Sequence, residues 1–94
     1  MSDCIITVLA KLPTTGKPDL TPCTMTLYDC QAYVGGYIEI LRTRTPGELL
    51  VINEEGALDE LPYNAQATKI VHPDYYIFDG IRGKALLILE TPDL

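Results

Sequence analysis

Short apolar runs alternate with turn-forming clusters along the chain, and no run is long enough to cross a bilayer as a helix. Cys4–Leu12 reads CIITVLAKL, rich in β-branched residues, and predicts a first strand. Pro13, Gly16 and Pro18 mark residues 13–21 as a loop. Across Thr24–Val34, Leu27, Cys30 and Val34 fall on one helical face. Thr24 stands where an N-cap is needed, and Gly35 supplies the stop. The threonines give this helix a mediocre propensity, so it must lean on packing.

Tyr37–Arg42 predicts a second strand, with Ile38 and Ile40 on one side and Tyr37, Glu39 and Leu41 on the other. Pro46-Gly47 turns the chain into a third strand, Leu49–Asn53, and the pair makes a hairpin. Asn53-Glu54-Glu55-Gly56 is a turn, with Gly56 suited to positive φ. Asn64 caps a short helix over Ala65–Val71, which Pro73 ends. Residues 72–83 are irregular and aromatic. Lys84–Glu90, KALLILE, is apolar on both faces and predicts a central strand. The expected fold is therefore α+β, one small domain over residues 1–94. Its order is β-α-β-β-α-β, a four-stranded sheet with two short helices, as in the ferredoxin-like split βαβ.

Composition narrows the function classes. Thirteen acidic residues against seven basic ones give a formal charge of −6. That balance excludes broad contact with nucleic acid, which needs a basic face, and suits a protein that occupies a basic surface on a partner. Hydrophobic residues make up 47%, enough for a core and too many for a disordered chain. The cysteines, Cys4, Cys23 and Cys30, are odd in number and form no Cys-x-x-Cys pair. Residues 1–10 carry no basic n-region, so the expectation is a cytoplasmic protein with reduced thiols and no membrane contact.

Candidate chemistry is sparse. There is no phosphate-loop lysine motif and no Gly-x-Gly-x-x-Gly. Cys23, Cys30 and His72 match no zinc spacing, and Ser2 is the only serine. A Cys30–His72 nucleophile and base pair is conceivable, against the plainer reading of Cys30 as a buried thiol on an apolar helix face. The expectation is no enzyme, no cofactor and no metal. Glu54 and Glu55 read as a turn rather than as cation ligands, and Gly35-Gly36 as a helix stop rather than a ligand floor. Asn64 reads as an N-cap, with contact to a phosphate or base edge as the functional alternative.

Two features point to binding. Tyr75-Tyr76-Ile77-Phe78 is an aromatic cluster, and tyrosine offers large contact area at low entropy cost. Arg42, Arg44, Arg82 and Lys84 hold four of the seven positive charges. If their loops meet, they form a basic pocket rimmed by tyrosines; the plain reading is solvated surface charge. The candidate partner- or ligand-binding residues are thus Tyr75, Tyr76, Phe78, Arg42, Arg44, Arg82 and Asn64.

Four segments in order carry a family resemblance. They are Val34-Gly35-Gly36-Tyr37-Ile38-Glu39, Val51-Ile52-Asn53-Glu54-Glu55-Gly56, Leu61-Pro62-Tyr63-Asn64-Ala65-Gln66-Ala67-Thr68 and Ile81-Arg82-Gly83-Lys84-Ala85-Leu86. Leu27 and Gln31 fit the same pattern. Together they resemble the domain-of-unknown-function family 3846, and the likeness spans most of the chain from Leu27 to Ile88. The resemblance implies a bacteriophage or mobile-element setting and implies no activity. The Pro73–Gly80 stretch, longer and more aromatic than usual, and the two arginines around the Thr43–Gly47 loop depart from the pattern.

Two functions follow as expectations. The first is a small non-enzymatic binding protein that counteracts a host defence system. It would mask a host protein, or sequester a small nucleotide signal in an arginine–tyrosine pocket between subunits of a homo-oligomer. The alternative is a structural or regulatory accessory domain that self-associates without a small ligand. An enzyme would require Glu54, Glu55 or Asp79 to meet His72 or Cys30 in a cleft.

Overall fold

A computed structural model describes residues 5–75 and 80–92. The strands are β1 (Ile5–Leu12), β2 (Cys23–Thr26), β3 (Ile38–Arg42), β4 (Glu48–Asn53) and β5 (Ala85–Leu89). The helices are α1 (Leu27–Val34) and α2 (Ala65–Ile70). All five strands form one antiparallel sheet in the order β2-β1-β5-β4-β3. The alternation of direction makes the two edge strands, β2 and β3, parallel to each other. Helix α1 joins them and so packs across one face, against β2, β3 and β4.

The apolar run of β5 takes the central position that its two-sided hydrophobicity predicts. Leu86 and Ile88 enter the core under α1, with Ile6, Val8, Cys30, Val34 and Val51. Ala85 enters the core on the other face, with Leu12, Leu41, Leu50, Ile52, Ala67 and Ile81. The sheet is thus a middle layer between two apolar clusters, each beneath one helix.

One irregularity decides which side chains of β1 go where. Ile6, Val8, Ala10 and Leu12 all have even numbers and all are buried, yet Ile6 and Val8 join one cluster and Ala10 and Leu12 the other. The pairing with β5 runs Val8↔Ile88 and then Ala10↔Leu87, with a register shift between. One extra residue in β1 switches the face that its even-numbered side chains address. A single strand thereby feeds both cores.

The structure corrects the sequence reading in four places. The sheet has five strands rather than four. Cys23–Thr26 pairs with β1 as β2 instead of opening the helix, because Cys23 and Met25 pack on the core while Thr24 faces solvent. Two strands, β5 and β4, stand between β1 and β3, where a split βαβ would place one. The N-cap is Thr26 rather than Thr24. Its hydroxyl accepts from the Asp29 N–H at 3.1 Å, and Asp29 accepts from the Thr26 N–H at 3.0 Å. The shorter helix leaves Leu27 half exposed, so only Cys30 and Val34 are buried on its apolar face.

Candidate functional site

The family-type segments lie together and hold one another by buried polar contacts. Asn53, at the end of β4, donates Nδ2 to the Val34 carbonyl at 3.0 Å and accepts the Glu55 N–H on Oδ1 at 2.8 Å. It thus ties the end of α1 to the turn after β4. Asn64 is fully buried and its amide is used completely. Nδ2 donates to Leu12 O and Gly83 O, each at 2.9 Å, while Oδ1 caps α2 through the Ala67 N–H at 3.0 Å. An amide so engaged is part of the scaffold and offers nothing to a ligand. Gly56 is needed for close approach and not for positive φ, since a Cβ there would stand 2.6 Å from the Arg82 carbonyl oxygen.

Arg42, Arg44 and Tyr75 do converge. Residues 70–72 run beside the end of β3, with His72 N bonded to Arg42 O and Arg44 N bonded to Ile70 O. The Arg42 side chain meets Asp74 at 3.1 Å and the Tyr75 hydroxyl at a long 3.5 Å. That contact raises the Arg42 pKa, as does the one to Asp74, and it lowers the Tyr75 pKa. Both partners of the ion pair are exposed, so it orients Arg42 more than it stabilises the fold. Arg44 donates Nε to Lys69 O at 3.1 Å. Its two terminal nitrogens have no partner among the described residues.

Two clefts share the wall formed by Arg44 and His72. The smaller, about 240 Å³, is also lined by Thr68, Tyr75 and Ile81, and no carboxylate of the described residues borders it. The larger, about 330 Å³, is bordered by Arg42 but also by Glu48 and Glu90. His72 Nδ1 lies 3.1 Å from the Asp74 N and 3.6 Å from Asp74 Oδ2. Arg82 does not join this corner. It donates to Leu61 O at 3.1 Å and lines a neighbouring hollow of about 100 Å³ with Glu39 and Glu54, which meets the smaller cleft at Gly80 and Ile81. Tyr76 and Phe78 lie outside the described residues.

A third cleft, about 430 Å³, lies over Gly35-Gly36, which the sequence reading took as a helix stop rather than a ligand floor. It opens at the C-terminal end of α1, floored by Gly35 and Gly36 and flanked by Tyr28, Tyr37, Glu55 and Asp59. Tyr28 and Tyr37 are 78% and 72% exposed, the two most exposed aromatic rings among the described residues. The signal lay in the spacing Tyr28, Ala32, Gly35, a helical stripe beside the buried one.

The conceivable Cys30–His72 pair is separated by the sheet. Cys30 packs beneath α1, and His72 lies beyond the end of α2 on the other side. Among the described residues, no group of three or more His, Cys, Asp or Glu could hold a metal ion, and no helix is long and apolar enough to cross a membrane.

The chain belongs to the family described as "Domain of unknown function (DUF3846)", whose profile matches residues 6–93. No curated protein and no solved structure matches it.

Proposed function

We propose that this member of the DUF3846 family is a non-catalytic binding protein that captures an anionic, phosphate-bearing ligand of nucleotide type at the Arg44–His72–Tyr75 corner. In the phage or mobile-element setting that the family resemblance suggests, such capture would counter a host defence signal. One observation carries the reading. Among the described residues Arg44 is held by its Nε alone, which leaves its two terminal nitrogens open beside a cleft that no described carboxylate borders. A planar guanidinium with two open donors matches two phosphate oxygens. Tyr75 and His72 supply ring faces for a base or a ribose.

The cleft of about 240 Å³ is smaller than the usual pocket for a whole small molecule. It accommodates a phosphate with its sugar, and a second copy of the chain would enclose the rest.

The test is calorimetric titration with ADP, pyrophosphate and adenosine at low salt. ADP and pyrophosphate should bind, adenosine should not, and Arg44→Ala should weaken ADP about tenfold or more, the loss of one charge-assisted contact. Equal binding by Arg44→Ala and the native chain contradicts the assignment.

A further inference from the structure

The cleft at the end of α1 has the opposite character, and we infer that it is a docking site for a basic segment of a protein partner, one that inserts an arginine or lysine side chain between Tyr28 and Tyr37. This inference does not depend on the anion site, which lies beyond α2.

Four observations converge on a cation. First, Glu55 and Asp59 border the cleft, no basic residue lines it, and neither acid is ion-paired among the described residues. Second, α1 ends there. Its own last turn carries no basic side chain; Asn53 Nδ2 takes up the Val34 carbonyl, and the partial negative charge that remains at the helix C-terminus adds to that of the two acids. Third, the rim is formed by Tyr28 and Tyr37, whose faces attract a guanidinium or ammonium group. Fourth, the floor is backbone. Gly35, at φ 84, has open space beside it, and a Cβ on Gly36 would crowd the Asn53 amide at 3.2 Å. An inserted side chain can therefore reach the end of the helix.

The shape also distinguishes a side chain from a free ion. A volume of about 430 Å³ is more than an ion needs, and it is open enough to admit a long aliphatic stem with its charged head. Leu58, 80% exposed in the turn between Glu55 and Asp59, gives the flanking residues of the segment an apolar contact. The net charge of −6 would draw a basic partner toward this face before contact.

The probe is a nine-residue peptide of alternating arginine and glycine, titrated into isotope-labelled protein and followed by amide chemical shifts. A matched peptide with glutamate for arginine is the control. Expected shifts centre on Ala32, Gly35, Gly36, Tyr37, Glu55 and Asp59, and the glutamate peptide causes none. The double variant Glu55→Gln with Asp59→Asn should weaken binding about tenfold or more, and Tyr37→Ala about fivefold. Both change exposed side chains, and an unchanged melting temperature verifies that the fold persists. Arg44→Ala should leave this binding unaltered while weakening that of ADP, so the two sites fail separately. Shifts spread over every acidic surface, or equal affinity in the double variant and the native chain, would overturn the inference.

Discussion

The guanidinium carbon of Arg42 lies 5.5 Å from the centre of the Tyr75 ring, and Arg42 Nε donates to the hydroxyl of the same tyrosine at 3.5 Å. This contact fixes one side of the corner in which Arg44 is left open. Arg42 is spent on Tyr75 and Asp74, so the two arginines of the hairpin take different roles despite their symmetry in sequence.

That pairing should be visible in a titration of tyrosine ionisation by ultraviolet difference spectroscopy. Arg42 favours the phenolate of Tyr75, so this tyrosine should ionise below the ordinary value of about 10. Burial disfavours the phenolate of Tyr33, with Asp19 adding to the effect, so Tyr33 should ionise above it. The signs differ for stability. The raised Tyr33 value contributes stability that is complete below pH 10 and is lost as pH rises through the folded value. The lowered Tyr75 value contributes stability that is complete above pH 10 and is lost as pH falls through its folded value. Tyr75→Phe should remove the early phase, and Tyr33→Phe the late one. A single phase in the native chain contradicts both assignments.

Asn64 should behave as a buried bridge and not merely as a cap. Asn64→Ala loses the cap and strands the carbonyls of Leu12 and Gly83, for a cost of about 3 kcal/mol. Asn64→Asp keeps the acceptor that caps α2 but sets a carboxylate against those two carbonyl oxygens, so it should cost at least as much. Urea unfolding of the three proteins checks this. An Asp variant close to native stability would mean that capping alone matters.

Two glycines should respond to alanine for different reasons. Gly35→Ala forces a Cβ into the left-handed region with space around it, costing about 1 kcal/mol. Gly56→Ala drives a Cβ against the Arg82 carbonyl, which belongs to backbone and cannot swing away, so the loss should be larger, about 2–3 kcal/mol. Thermal melts of both variants give the order, and a reversed order contradicts the packing described for the turn.

Much of the fold was legible because periodicity and punctuation agreed. The hairpin of β3 and β4, the Gly35 stop, the Asn64 cap and the central place of β5 each had both an apolar pattern and a terminating residue. Strand β2 was missed because Cys23–Thr26 is too short to show alternation clearly and runs straight into a helix. The pair Thr26 and Asp29, spaced as a capping box, was the available signal for that boundary. The β1 bulge left no mark, since its even positions are apolar throughout and only pairing with β5 reveals the switch. For the site, the arginines and Tyr75 were legible as chemistry, and their meeting depended on residues 70–72 running beside β3, which no local pattern encodes. Arg82 looked equivalent to them in sequence but is drawn away to Leu61.

Amide chemical-shift mapping with ADP tests the central claim most directly. The account predicts saturable shifts centred on Arg44, His72 and Tyr75, reached in Arg44→Ala only at about tenfold or more higher ADP, and absent with adenosine. Shifts centred elsewhere on the protein, or none at millimolar ADP, would contradict it.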